Sequence, residues 1–398
     1  MFLYVPGCPQ DPQSRYTAPV RCKSCTNMSL AGRIFADGKA RKAMKKFLKK
    51  LAFFIGIILL LAGGYAGYAI LSYSRLPDYL TLKAVAVPEA AAPYETGVSY
   101  KAITYNIGFG AYTPDFSFFM DGGTSSWAKS KESVKKTVKG AAALIAGRQP
   151  DLAAFQEVDI DGTRSYHVDQ YQLLSEKLPH FSHVLGLTYD SAFLIYPFHQ
   201  PHGKNKSGIA TYSRVPVEEA VRRSLPITDS FAKFLDLDRA YTVARMKTAA
   251  GKYLVFINAH LSAYGADEAI RTRQMEVLTQ DLEAEYAQGN YVIVAGDFNH
   301  ELKPEPKGAD FSWAQPFPRE LLPQNFQLAV DALSPKEQAE LTDSARNADI
   351  AYTPGVSQTF MVDGFIVSDN IEVEKLTVLT TGFLYSDHEP VELIFQLK

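Results

Sequence analysis

Tyr291-Val292-Ile293-Val294-Ala295-Gly296-Asp297-Phe298-Asn299 decides the reading of this 398-residue chain. Its first five residues are apolar and rich in β-branched side chains, the pattern of a strand buried on both faces. Such strands belong to α/β folds, where ligands collect at the strand ends. The run carries Asp297 and Asn299 to its C-terminal mouth. Side chains at i and i+2 of an extended segment share a face, so a carboxylate and a carboxamide can point at one ligand. A metal ion or a phosphate suits that pair.

Four other segments repeat the design. Residues 101–107 read as a strand ending near Asn106, and residues 151–157 as one ending in Glu157. Residues 253–261 carry His260 at the end of a third, and residues 361–367 place Asp363 at the start of a short apolar run. Ser386-Asp387-His388 adds a proton carrier near the end of the chain. Several strands with a polar residue at one end describe a pocket above sheet edges. Between strands the pattern changes to a helical period. Ser130 is a candidate N-cap for a helix with Val134, Val138, Ala141 and Ile145 on one face, stopped by Pro150. A second amphipathic helix is expected over residues 267–288, burying Ile270, Val277, Leu278 and Leu282. An aromatic loop over residues 108–130 carries Phe109, Tyr112, Phe116, Phe118, Phe119 and Trp127.

The net charge of −2 conceals an asymmetry. Residues 1–75 hold 12 Lys and Arg against 2 Asp and Glu, whereas residues 76–398 hold 29 against 41. The division falls at residues 51–74, which contain no charged side chain and are long enough to cross a bilayer. Lys39, Arg41, Lys42, Lys45, Lys46, Lys49 and Lys50 precede them, so the positive-inside rule predicts a basic cytoplasmic tail over residues 1–50. The apolar run exceeds the usual 7–15 residues of a signal-peptide core. It is expected to remain as a single transmembrane signal anchor, followed by a linker over residues 75–97 and an extracytoplasmic domain over residues 98–398. Residues 1–43 stand apart, because Met44-Lys45-Lys46-Phe47-Leu48-Lys49-Lys50 is itself a good start for an export signal. They read as a disordered tail or as lying ahead of the true start. Cys8, Cys22 and Cys25 all lie there, so the domain uses no disulfide. Cys22 and Cys25 lack a second ligand pair for zinc.

Taken in order, these motifs resemble the endonuclease/exonuclease/phosphatase superfamily, with the deoxyribonuclease I-like fold, over roughly residues 98–398. The resemblance implies a four-layer α/β/β/α sandwich of two mixed β-sheets, preceded here by one transmembrane helix. It also implies hydrolysis of a phosphate ester with Mg²⁺ or Mn²⁺ as cofactor. Glu157 would be the principal metal ligand, assisted by Asn106 and Asp387. Asp297 and Asn299 would position the attacking water and the phosphate. His388 would act as general base, oriented by Asp363, and His260 would bind a phosphate oxygen or assist the leaving group. Many relatives carry an Arg two residues before Asp363 and an aromatic or His directly after it. Met361 and Gly364 stand here instead, so substrate contacts at that point are expected to differ. Outside the motifs, Arg164 and His167 are candidates for substrate phosphate contacts, with a solvated helix start as the competing reading.

The family is too broad to name a substrate. An ectodomain at −12 is a poor match for a nucleic-acid binder, although Arg164, Lys204 and Lys206 could form a local basic patch. Tethering to a membrane and the aromatic loop suit a lipid head group; a nucleic acid or an inositol phosphate stays open. A monomer is expected. The competing class is a catalytically inactive member that only binds a ligand, and that class predicts a lost catalytic residue. None is lost.

Overall fold

The computed structural model describes residues 38–72, 75–87, 91–230, 233, 237–262, 268–304 and 313–398. The three cysteines, most of the basic tail and Asp267 lie outside the described residues. Contacts divide the chain into Met1–Gly67 and Tyr68–Lys398. The first unit holds most of a 35-residue helix, α1 (Gly38–Ser72). Among the described residues this helix alone is long and apolar enough to cross a membrane, and it leaves Phe53, Phe54, Ile58, Leu59, Leu60 and Leu61 exposed. Helix begins well before the uncharged run, since Lys, Arg, Ala and Met are all good helix formers.

The second unit is α/β, built on two mixed sheets. The six-stranded sheet runs in the order β16 (Ile371–Val378), β17 (Val391–Leu397), β2 (Ser99–Asn106), β3 (Leu152–Gly162), β5 (Asn205–Ser213) and β4 (Ser182–Asp190). The seven-stranded sheet runs β1 (Leu80–Thr81), β6 (Val217–Ser224), β7 (Ala240–Lys247), β8 (Tyr253–His260), β9 (Tyr291–Asp297), β15 (Asp363–Ser368) and β12 (Phe326–Leu328). Two short pairs complete the strands: β10 (His300–Glu301) with β11 (Gln315–Pro316), and β13 (Ala345–Arg346) with β14 (Thr359–Phe360).

Each sheet contains one parallel pair of strands joined by a crossover helix, as parallel pairing requires. Helix α2 (Lys131–Arg148) lies between β2 and β3, and α4 (Glu268–Ala287) lies between β8 and β9. Two shorter helices are α3 (Gln170–Lys177) and α5 (Pro335–Glu340). Ser130 caps α2, accepting from Ser133 N–H at 3.0 Å.

The two-residue period of a strand sorts the core. In β2, Ile103 and Tyr105 join the cluster of Val134, Val138, Ala141 and Ile145 from α2. The alternate residues face the other way: Ala102 joins the cluster that holds the seven-stranded sheet, and Asn106 hydrogen-bonds Asp297 of β9. In α4, Met275, Leu278 and Leu282 are buried in that same cluster. The sheets therefore pack face to face with helices on their outer surfaces.

Residues 75–87 and 91–97 differ from the linker expected of their prolines. Leu80 and Thr81 pair with β6, Val85 bridges His183, and Tyr94 is buried edge-on against Tyr100. Pro is tolerated on a sheet edge, so the segment can be built into the domain. The aromatic loop is also mostly core: Phe109, Tyr112, Phe116 and Phe118 are buried in the α2 cluster.

Candidate active site

Strand pairing assembles one row of three polar residues. His260 ends β8, Asp297 ends β9 and Asp363 begins the antiparallel β15. Asp297 is the register partner of both. Gly296 makes the row possible, because a Cβ there would lie 2.0 Å from the Ala259 carbonyl oxygen. The His260 Nε2 sits 3.5 Å from Asp297 Oδ2.

The six-stranded sheet meets this row from the other side. Asn106 ends β2 and its Nδ2 donates to Asp297 Oδ2 at 3.0 Å and to Glu157 Oε1 at 3.2 Å. Glu157 lies at a register shift between Phe155 and Val158, with φ of +54°. A bulge re-aims a side chain that a regular strand would commit to one face. Gly108 N–H donates to Asn106 Oδ1 at 3.0 Å. A side chain at Gly108 would strike Asp387 Oδ1, so the chain passes directly beside that carboxylate.

His388 closes the mouth. Its Nδ1 is 2.8 Å from Asp363 Oδ2, leaving Nε2 directed toward Asp297 Oδ2 at 3.8 Å. Ser386 Oγ donates to the Asn106 carbonyl at 2.8 Å and accepts from His388 N–H, tying the last motif to the first. Asn299, at φ +52°, donates its Nδ2 to the Leu261 carbonyl, while its backbone N–H caps Asp297 Oδ1 at 2.9 Å.

Burial and mutual charge set the protonation of these groups. Burial alone would lower the His388 pKa, but Asp363 and then Asp297 override it and hold the imidazole well above its ordinary value. His260 is driven well below that value by burial, then by the Arg239 and His388 charges. Burial pushes the Asp297 carboxyl up to about 6, opposed first by His388. Glu157 is likewise raised by burial, with Arg164 pulling it down and Asp387 pushing it up. One imidazole is thus biased to hold a proton and the other to stay neutral, a separation typical of acid–base sites.

Two groupings offer ligand atoms to a cation. Asp297, Asp363 and His388 bring one atom each within 4.8 Å of one another. In that trio the bond from His388 Nδ1 to Asp363 Oδ2 occupies one atom of each residue and leaves His388 Nε2 and the buried, unpartnered Asp363 Oδ1. Glu157 and Asp387 are two further carboxylates at the half-open mouth, with the Asp387 charge helping burial to raise the Glu157 pKa, and oxygen donors are what Mg²⁺ and Mn²⁺ prefer. Asn106 turns its Nδ2, not its carbonyl, toward Glu157.

Arg164 and His167 are placed differently from each other. Arg164 is buried, forks onto Asp159 through Nε and Nη2, and lies 3.8 Å over the Phe109 ring; its charge still reaches Glu157. His167 is exposed and pairs with Asp161 at 2.6 Å. Three residues near the site were not singled out from sequence. Ser344 Oγ donates to Asp363 Oδ2 at 2.8 Å and accepts from Asp363 N–H, orienting the carboxylate. Arg239 is a buried cation that donates to the Leu261 carbonyl at 2.9 Å, keeps Nε unpartnered, and has no carboxylate partner among the described residues. Asp121, whose side chain still meets solvent, is pushed up to about 7 by the protein crowded around it, then by Asp387 and Glu157. Ser344 lies in no apolar run, and although Asp121 follows Phe118-Phe119-Met120 and Arg239 precedes β7, no motif marks either of them as part of the site.

A sequence model of the endonuclease/exonuclease/phosphatase family matches residues 103–388, spanning all the motifs from β2 to His388. The chain belongs to this family. No curated protein sequence matches it. Among solved structures, a Beutenbergia cavernae endonuclease/exonuclease/phosphatase aligns at 17% identity and TM-score 0.52, covering 75% of this chain and 72% of its own. D. rerio TDP2 complexed with single-strand DNA product aligns at 15% identity and TM-score 0.50, covering 75% and 99%. At such identities the structural likeness carries the fold alone. This endonuclease/exonuclease/phosphatase member keeps every motif side chain of the resemblance around one mouth.

Proposed function

We propose that this protein is a membrane-anchored, extracytoplasmic phosphoesterase that needs a divalent metal ion, Mg²⁺ or Mn²⁺, and hydrolyses a phosphodiester or phosphomonoester. The observation that carries the reading is the Asp363–His388 pair, with the free Nε2 of His388 turned toward Asp297 beside Glu157. The basic cluster ahead of residue 51 supports the orientation.

In this reading His388, in the neutral form that exists above its raised pKa, takes the proton from the attacking water through Nε2, while Asp363 holds Nδ1–H and fixes the tautomer. Ser344 keeps Asp363 in place. Asp297 and Asn299 position the water and the phosphate. His260, neutral at the site, donates to a phosphate oxygen or to the departing one. Glu157 and Asp387 hold the metal, with Asn106 orienting Glu157. When bound, that ion neutralises charge on the phosphate oxygens.

The test is full-length protein in detergent, assayed against DNA, RNA, phospholipids, inositol phosphates and a generic phosphodiester. Activity on at least one should vanish with a chelator and return with Mg²⁺ or Mn²⁺. His388→Ala should lower it by roughly 10² to 10⁴-fold. Full turnover in excess chelator would overturn the metal requirement, and no turnover on any substrate would favour a ligand-binding member.

A further inference from the structure

An uncharged aromatic rim lies beside the mouth of the site. In the connection between β4 and β5, residues 191–204, the one Lys, Arg, Asp or Glu is Lys204 at its very end, which pairs with Asp190 at 3.8 Å. It leaves Phe198 79% and Tyr196 62% exposed, and Phe193 is exposed too. Across from it, the turn Phe119–Asp121 exposes Met120 at 61%. The rings hold one another: Phe119 packs on Tyr196 at 5.8 Å between centroids and Tyr196 on Phe198 at 5.9 Å. Backbone contacts make the rim a built feature. Trp127 Nε1 donates to the Pro201 carbonyl at 2.7 Å, and Leu194 bridges Gly203.

Two observations say what covers it. Phe119 packs on Phe118 and Phe118 on Tyr112, whose ring lies against Gly108 where the chain passes beside Asp387, so the rim borders the catalytic mouth. Tyr68, in the last turns of the apolar helix and within the globular unit, accepts a hydrogen bond from Phe193 N–H at 3.1 Å. Tyrosines at the end of a membrane helix sit at head-group level. A loop bonded to that tyrosine is held at the same level.

We propose that Met120, Phe193, Tyr196 and Phe198 form a lipid-surface docking site, which seats the mouth against the bilayer that holds the helix. Exposed aromatic and apolar side chains without charge are the composition that enters the head-group boundary. The consequence for substrate, that a lipid phosphoester reaches the site from the bilayer, rests on the phosphoesterase reading above.

The experiment uses the full chain reconstituted in phosphatidylcholine vesicles, with Phe198→Trp as reporter and Glu372→Trp as control. Glu372 lies at the end of β16 opposite the site, pairing with Gln396 far from Asn106. After subtracting the native tryptophans, Phe198→Trp should emit at shorter wavelength and lose about half its emission to lipids brominated on their acyl chains, while Glu372→Trp is unaffected. An unquenched Phe198→Trp overturns the docking site, as does equal quenching of both. A second readout compares Tyr196→Ser with Phe198→Ser, combined in one chain, on two substrates. Hydrolysis of a vesicle-borne phosphodiester should fall roughly tenfold, with a water-soluble phosphodiester hydrolysed as before. Equal loss on both substrates would mean that the rim serves the site itself, such as by stacking on a nucleobase, and not a lipid surface. If neither substrate is turned over, the phosphoesterase reading fails while the quenching result still decides docking.

Discussion

Gln156 Nε2 donates to Asn258 Oδ1 at 2.8 Å across the gap between the two sheets, one residue before Glu157 and two before His260. Asn258 Nδ2 in turn donates to the Phe155 and Ala210 carbonyls, and Gln156 bonds Thr104. All four side-chain and backbone partners are buried, so the network pins the spacing of the sheets directly under the site.

Asn258→Ala removes one side chain and strands several groups at once. Leaving a buried polar group unsatisfied costs about 1–3 kcal/mol. Thermal unfolding should show a clear fall in Tm, and activity should fall with it, because Glu157 and His260 lose their common support. A Tm within error of wild type would show that water replaces the amide at no cost.

The pH response follows from the sign of the His388 shift. Asp363 is the largest charge raising that imidazole against burial, so Asp363→Asn should move its pKa back toward the ordinary value. The acid limb of the kcat/KM profile should therefore move to lower pH, even though maximal turnover falls. Because the folded pKa is raised, the ion pair stabilises the protein fully below the unfolded value of about 6.5 and loses that effect as pH rises through the folded value. In chelator, the Tm gap between wild type and Asp363→Asn should be widest on the acid side and close on the alkaline side. A gap that widens with pH would reverse the assignment.

Arg239 shares the Leu261 carbonyl with Asn299, and its charge is unanswered by any carboxylate among the described residues. A buried guanidinium of this kind is suited to an anionic phosphate oxygen. Arg239→Met should raise KM by about tenfold or more, from the loss of a charged hydrogen bond, with a smaller effect on kcat. The same change should let the His260 pKa rise, which proton NMR of the imidazole can follow. An unchanged KM with a lowered Tm would make Arg239 a purely structural cation.

The strands and their terminal polar residues were legible because both signals are local. An apolar run with a polar end needs only its own dozen residues, and Ser130 announces α2 by itself. The uncharged stretch after a basic cluster is equally local. What the sequence by itself determined was thus the membrane helix, the strands β2, β3, β8, β9 and β15, the helices α2 and α4, and the motif residues Asn106, Glu157, His260, Asp297, Asp363 and His388 in family order. Tertiary structure decided the rest. It paired Leu80 and Thr81 with the edge of a sheet, turned Glu157 out through a bulge, committed Arg164 to Asp159 and brought Ser344, Arg239 and Asn258 to the site. Asn106 and Asp297 are 191 residues apart and Gln156 and Asn258 are 102 apart. The pairing of such distant groups depends on how two sheets register and pack, which no local period encodes.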